Sequence, residues 1–463
     1  MSPRSAPSKQ SPRVKTAAPQ GLPPRPDLGS APRIRVPALS ERILPSGLRV
    51  VAVRRAGVPL VEVRMRVPFQ GRARSHLAQS SVLTEAFFSG TGYHDAQSLA
   101  EAIQSLGGGL SAGGDADRLS IGGSALAPNL RGLLHLLAEV LTGNTYPAQE
   151  VAGERDRIAE EIAIARTTPS RLAGEAVSRR LFGEHPYGRD LPTVEEVQAV
   201  TPAALRRLHR ERVSPTGAIL VMVGDIAPKR AIDIAEAALA DWQPEGRKSA
   251  TLQAIPAFEP GGISLLDRRG SVQTSVRIVA PAPTRNDPDY AALALANTVF
   301  AGYFSSRLVA NIREDKGYTY SPHSTISHSE LASVLTVDAD VATDVTAPAL
   351  VEMWYEQARV ATSAVTQDEL DSARRYLIGT LALSTASQAG LAGTLVRLLD
   401  SGLEAAWLRD YPKRLGEVSV GEAYEAARRW LSPAASATVL VGDESVISDS
   451  VGAIGPLSPL VLD

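Results

Sequence analysis

The sequence predicts an α+β protein built as two homologous domains from an internal duplication, and three observations carry that expectation. First, Val213-Ser-Pro-Thr-Gly-Ala-Ile-Leu-Val-Met-Val-Gly-Asp225 returns as Leu431-Ser-Pro-Ala-Ala-Ser-Ala-Thr-Val-Leu-Val-Gly-Asp443, about 218 residues later. Each copy reads as a Pro opening a buried strand and a Gly-Asp turning the chain at its end. Second, a strand pattern precedes each copy at a similar distance. Val61, Val63, Met65 and Val67 alternate with Glu62, Arg64 and Arg66, and Val276 and Ile278 alternate before Pro281. Third, long helical stretches follow in parallel order. Leu77 to Phe88, Gln97 to Leu106, Leu130 to Leu141 and Ala148 to Arg166 have counterparts in the second half. These are Asp289 to Phe300, Ala347 to Thr362, Gln367 to Leu381 and Leu391 to Ser401.

The boundaries follow from composition. Residues 1–40 hold seven Lys or Arg against the single acid Asp27, with Pro and Ser throughout, and read as a disordered basic tail. A first domain occupies 41–243, a linker rich in Pro, Gly and Ala 244–260, a second domain 261–450, and a C-terminal tail 451–463. A chain of 463 residues is too long for one core, so two domains also satisfy the size expectation.

Charge and composition exclude several classes of function. A net charge of -2 gives no electrostatic reason to expect nucleic acid or an anionic membrane as partner. No apolar run is long enough to span a membrane. The chain has no cysteine, so disulfides and thiolate metal ligands are ruled out. The first 40 residues carry no apolar signal segment, which points to the cytoplasm, or to the periplasm if a signal was removed.

Gly107 to Gly114 is glycine-rich but lacks the spacing and following helix of a phosphate loop, and reads as an edge or cavity-lining segment. Of the seven histidines none sits at metal-ligand spacing. His323 and His328 fall on opposite faces of a strand, and His135 lies in an apolar helical run. Arg313-Glu-Asp-Lys-Gly-Tyr-Thr-Tyr320 is the most informative stretch. Leu308 and Ile312 are four apart, so Ser305 to Lys316 is expected as a short amphipathic helix ended by Gly317, with a strand entered through Tyr318 to Tyr320. The turn brings Arg313 and Tyr320 to one point.

That stretch resembles the arginine/tyrosine motif in the C-terminal half of pitrilysin/insulinase-like peptidases, the inverzincins. Phe88-Ser-Gly-Thr91, Leu106-Gly-Gly-Gly109, His185-Pro-Tyr-Gly188 and Ser305-Ser-Arg-Leu308 resemble further family segments in the same order. The resemblance covers residues 41–450. It implies that each domain is a mainly antiparallel sheet packed with helices, the pair forming half of a clamshell. The family binds zinc through H-x-x-E-H on a helix, and no such motif occurs here. Its two histidines fall on Ser81 and Glu85, its catalytic glutamate on Thr84, and its third ligand on Glu161. Positions 81, 84 and 85 still share one helical face, but a serine, a threonine and two carboxylates make neither a zinc site nor a general base. Carboxylates without histidine would suit Mg²⁺ or Ca²⁺ instead. Alternatively, Glu161 is simply neutralised by an arginine such as Arg157.

The resemblance therefore implies the non-metallated subunit of a heterodimeric zinc peptidase. Arg313 and Tyr320 would act in trans on an unfolded peptide, and a zinc-bearing paralogous subunit would hold the metal. This chain itself would carry no cofactor. A homodimer in the absence of that partner is a further expectation. The rival expectation is an inert structural or peptide-binding homologue with no proteolytic role.

Overall fold

A computed structural model describes residues 38–244 and 252–462. Most of the expected basic tail, and residues 245–251 of the expected linker, lie outside the described residues. The first sheet is built from β1 (Leu39–Ile43), β2 (Arg49–Arg54), β3 (Leu60–Pro68), β4 (Gly109–Gly114), β5 (Arg118–Leu126) and β6 (Ile219–Gly224). The second is built from β7 (Ile263–Asp267), β8 (Gln273–Pro281), β9 (His323–His328), β10 (Ser333–Ala342), β11 (Ala437–Gly442) and β12 (Leu457–Pro459). Their orders are β1-β2-β6-β3-β5-β4 and β12-β7-β11-β8-β10-β9.

From the second strand inward the two orders are the same permutation. The repeated segments become β6 and β11, each parallel to one neighbour and antiparallel to the other. Even single pairs recur: Val63 faces Met222 in the first sheet and Val276 faces Leu440 in the second. The edges differ. β1 precedes its sheet and runs antiparallel to β2, whereas β12 follows its sheet and runs parallel to β7. Where the sequence suggests a tail from residue 451, the chain completes the helix Glu444–Gly452 and lays β12 along β7. Three residues with one buried neighbour strand carry too little alternation to read as a strand beforehand.

The strand patterning has the physical cause expected of it. Val61, Val63, Met65 and Val67 are sealed, and the polar residues between them are half-exposed. Five helices of the first domain matter for the site: α1 (His76–Glu85), α2 (Ala96–Ser105), α3 (Leu130–Gly143), α4 (Ala148–Ala165) and α5 (Pro169–Phe182). Helix α3 turns Leu133, Leu134, Leu137, Val140 and Leu141 into the first core and leaves His135 on its outer face.

The domains exchange helices. Helix α5 leaves its own sheet and packs Ala173 and Ala176 on Val439 and Val441, and Leu181 on Val279 and Ala437, in the second sheet. The matching helix Gln388–Asp400 packs on β6 and β3 of the first sheet. Val51, Val53, Val221 and Val223 thereby join the core of the second domain. This is why β6 and β11 are buried on both faces and read as unbroken apolar runs. No helix among the described residues is long and apolar enough to cross a membrane.

Candidate functional site

Helix α1 buries Ala78, Val82 and Leu83 and turns its other face toward a cavity of about 990 Å³ between the domains. Ser81, Thr84, Glu85 and, from α4, Glu161 all line that cavity. The structure thus brings together the four positions that the sequence comparison singled out. Their chemistry is closed off locally. The Ser81 hydroxyl donates to the Leu77 carbonyl at 2.9 Å, a bond within its own helix. Thr84 is buried against Gly114 at the end of edge strand β4, where a Cβ would stand 3.2 Å from its hydroxyl.

Arg157 of α4 occupies the middle of the acidic group. Its guanidinium donates to Glu85, to Glu161 and, at 2.8 Å, to Glu154. The Glu154 hydrogen bond, followed by the charges of Glu85 and Glu161, raises the guanidinium's affinity for its proton. A permanent cation therefore sits among the carboxylates that a dication would need. Among the described residues no group of three or more His, Cys, Asp or Glu side chains is disposed to hold a metal ion. A zinc ion does not fit this donor set.

The second feature lies elsewhere. Ser305-Ser-Arg-Leu308 opens it: Leu308 is sealed in the core, and Arg307 clasps Glu369 through two bonds of 2.8 Å. That clasp holds the Glu369 carboxyl down at about 2. The chain then forms a wide π-helix, Val309–Asp315, rather than the continuous amphipathic helix expected over Ser305 to Lys316. Its last N–H bond runs from Lys316 back to Asn311 at 3.0 Å, five residues earlier. Single π-turns of this kind cluster at functional sites. Asn311 is itself pinned by Glu352 and Glu356 at 2.9 and 3.0 Å.

Gly317, at φ +68°, reverses the chain, and the Tyr318 N–H closes the turn on the Ile312 carbonyl at 2.8 Å. Tyr318 to Tyr320 do not enter a strand as expected, because pairing with β10 begins only at His323. Instead the Thr319 hydroxyl bonds the Asp340 carbonyl at 2.7 Å and swings Tyr320 outward. The outcome is a preformed pair, with the Arg313 guanidinium 5.0 Å from the centre of the Tyr320 ring. Tyr320 is 82% exposed, and neither residue lines the cavity beside α1.

Phe304 was not legible as part of this corner. Its ring lies 4.4 Å from the same guanidinium, so Arg313 is clasped between two aromatic rings while Phe304 stays 67% exposed. The one hint in the sequence is a large apolar side chain beside Tyr303 with no place in the helical spacing that follows.

Two other segments of the resemblance have structural work. Gly107 takes φ +71°, and a Cβ on Gly108 would stand 1.7 Å from the Ser124 carbonyl oxygen, so the turn into β4 admits no larger residue there. Tyr187, from His185-Pro-Tyr-Gly188, donates to Asp117 at 2.6 Å, and the Glu330 N–H reaches the same carboxylate at 2.9 Å. This joins the β4–β5 turn of one domain to the β9–β10 turn of the other.

The two helix-packed sheets agree with the comparisons to known proteins. Residues 80–193 match the model described as insulinase (peptidase family M16), and residues 199–377 match the peptidase M16 inactive domain. The chain belongs to the pitrilysin/insulinase-like peptidase family. It is 28% identical over 347 residues to an uncharacterized zinc protease of Mycobacterium leprae, covering 73% of this chain and 77% of that one. It is 24% identical over 309 residues to an uncharacterized zinc protease of Bacillus subtilis, covering 66% and 74%. Among solved structures, a peptidase M16 inactive domain from Pseudomonas fluorescens superposes with a TM-score of 0.80 at 24% identity, covering 88% of this chain and 98% of that one. A protease from Helicobacter pylori gives 0.80 at 18% identity, covering 88% and 100%. At these identities the structural likeness speaks for the fold.

Proposed function

We propose that this chain is the non-metallated subunit of a heterodimeric zinc peptidase. It supplies Arg313 and Tyr320 in trans to a paralogous subunit that carries the metal. The observation that carries the reading is the contrast between the two local sites. The face that would bind zinc is neutralised by Arg157, yet the pair of half-buried Arg313 and exposed Tyr320 is preformed outside the chain's own cavity. A scaffold has no need of an aromatic clasp that fixes one guanidinium at the surface.

The chemistry available to the pair is that of preorganised donors. The Arg313 guanidinium, a planar fork of donors, holds a carbonyl of an extended peptide. The Tyr320 phenol donates to the oxygen on which negative charge grows as the scissile carbon becomes tetrahedral. Donors fixed in advance cost no reorganisation at that moment, which is why their loss is felt mainly in turnover. Zinc and the general base belong to the partner, and the substrate is an unfolded peptide.

The test is hydrolysis of a peptide by the purified chain, alone and mixed with a zinc-bearing paralogue. The chain alone is expected to be inactive and the mixture active. Arg313→Ala and Tyr320→Phe are each expected to lower turnover of the mixture by ~10²–10³. Activity that ignores both substitutions would leave an inert structural or peptide-binding homologue. Chelator-sensitive activity of the chain alone would refute the assignment of α1 as a metal-free site.

A further inference from the structure

The cavity beside α1 carries two arginines that the proposed function leaves unexplained. Arg285 lies in the turn between β8 and the helix Tyr290–Asn297, and Arg397 lies in the last turn of the helix Gln388–Asp400. Both line the cavity, and Arg397 is exposed within it. Among the described residues neither forms an ion pair. The nearby acids are already engaged. Asp400 takes Arg118 at 2.7 Å and Arg66 at 3.3 Å, and Glu330 takes Arg118 at 2.7 Å. Two further neighbours of Arg285, Tyr290, with which it shares a hydrogen bond, and His328, supply no negative charge. Tyr290 is a phenol whose burial raises its pKa, and His328 is kept neutral by burial and then by the charge of Arg285, with a pKa of about 4.

Two cations placed together without a counter-charge repel, and burial adds to the cost. Burial, then the charges of Arg285 and Arg66, lower the Arg397 guanidinium's affinity for its proton. The carbonyl end of its helix supplies only a fraction of a negative charge in return. Three other arginines of this cavity are matched to acids: Arg66 to Asp115 at 2.6 Å, Arg118 to Asp400 at 2.7 Å and Arg189 to Glu196 at 2.6 Å. An unmatched pair on a cavity wall is the arrangement that an incoming carboxylate completes, since each guanidinium offers a planar fork of donors.

We propose that Arg285 and Arg397 form an anion subsite in the interdomain cavity that takes a carboxylate of the bound peptide. The ligand is a C-terminal carboxylate or an acidic side chain. This deepens the proposed function by giving the substrate a chemical class, and it rests on that reading for the presence of a peptide. Polar groups then stand on two walls of a cavity otherwise lined in part by apolar side chains such as Leu77, Ile158 and Phe182. Ser81 and Glu85 on α1 mark one wall, the arginine pair another, and an extended peptide lying between them is held in one direction.

The test is calorimetric titration of the full chain, without any partner, using a short extended peptide ending in glutamate. Its C-terminal amide, its Glu→Gln form and the doubly neutralised form serve as comparisons. The acidic peptide is expected to bind at least about tenfold more tightly than the doubly neutralised one. The two singly neutralised peptides show which carboxylate is read. The double variant Arg285→Gln, Arg397→Gln is expected to abolish the difference. Arg285→Lys, Arg397→Lys is expected to keep part of it, which separates charge recognition from misfolding.

Equal binding of charged and neutral peptides, no binding of either, or a preference that survives the double Gln variant would each overturn the subsite. The outcome stays distinct from the in-trans reading. A mixture whose hydrolysis depends on Arg313 but shows no carboxylate preference would sink the subsite alone. A carboxylate preference that needs both arginines, beside a mixture indifferent to Arg313, would sink the in-trans reading alone.

Discussion

Helix α1 and the helix Tyr290–Asn297 occupy the same place in the duplicated frame, following the equivalent strands β3 and β8. They have had different fates. Tyr290–Asn297 is sealed all round by apolar packing, whereas α1 buries one side and keeps Ser81 and Glu85 on a cavity wall. The next station reverses the contrast. In the first domain, α2 ends plainly at Gly107 and enters β4. In the second domain the equivalent turn at Gly317 follows a π-helix and displays Arg313 and Tyr320. One frame thus exposes a polar face at its first station in one copy and an arginine–tyrosine pair at its second station in the other. Duplication supplies the scaffold twice, and local irregularity decides where chemistry is displayed.

The sharpest way to break this comparison is to return the metal motif to α1. Ser81→His, Thr84→Glu and Glu85→His rebuild H-x-x-E-H with Glu161 as the remaining ligand, but Arg157 still holds Glu161. Adding Arg157→Ala to that triple variant is expected to tighten zinc binding by up to about a hundredfold, read by competition with a chromophoric chelator. Equal affinities with and without Arg157 would mean that the arginine does not keep metal out.

Acid provides the next contrast. His209 of the first domain is buried, hydrogen-bonded to Tyr146 at 2.7 Å and to the Leu141 carbonyl at 2.9 Å, and burial lowers its pKa from 6.5 to about 4. Between those values the unfolded chain binds more protons than the fold. The stability contributed by neutral His209 is therefore complete above pH 6.5 and is lost as pH falls toward 4. The loss reaches about 2 kcal/mol by pH 5. Urea unfolding at pH 7 and pH 5 is expected to show this loss, and His209→Gln is expected to remove most of it. An unchanged pH dependence in that variant would place the acid sensitivity at the other histidines whose burial lowers their pKa, His76 and His328.

The smallest effect concerns Phe304. Replacing one ring of the aromatic clasp by Phe304→Leu removes about 0.5–1 kcal/mol of cation–π attraction, a factor of roughly two to five in turnover of the mixture. Rescue by Phe304→Tyr would show that the ring face, not bulk, positions Arg313.

Much of this was legible in the chain. The paired strands betrayed themselves because helix exchange buries β6 and β11 on both faces, forcing long apolar runs between fixed turn residues. The shared face of Ser81, Thr84 and Glu85 followed from helical spacing, and the neutralising role of Arg157 from its position four residues before Glu161. The π-helix was hidden because a widened turn keeps Leu308 and Ile312 pointing inward much as a regular helix would. Tyr318 to Tyr320 have the composition of a strand, yet a side-chain bond from Thr319 to Asp340 claims them first. Arg285 and Arg397 meet only through the tertiary fold, and no local spacing could have announced them.

The exchange of α5 and Gln388–Asp400 has one more consequence. To swing its two domains apart, this chain would have to peel a helix off each sheet at once and wet four strand valines on β2 and β6 together with Val439 and Val441. Opening such a hinge carries the cost of exposing all six valines to water. On the proposed reading, the two domains stay locked to each other and a peptide enters at the seam with the zinc-bearing subunit.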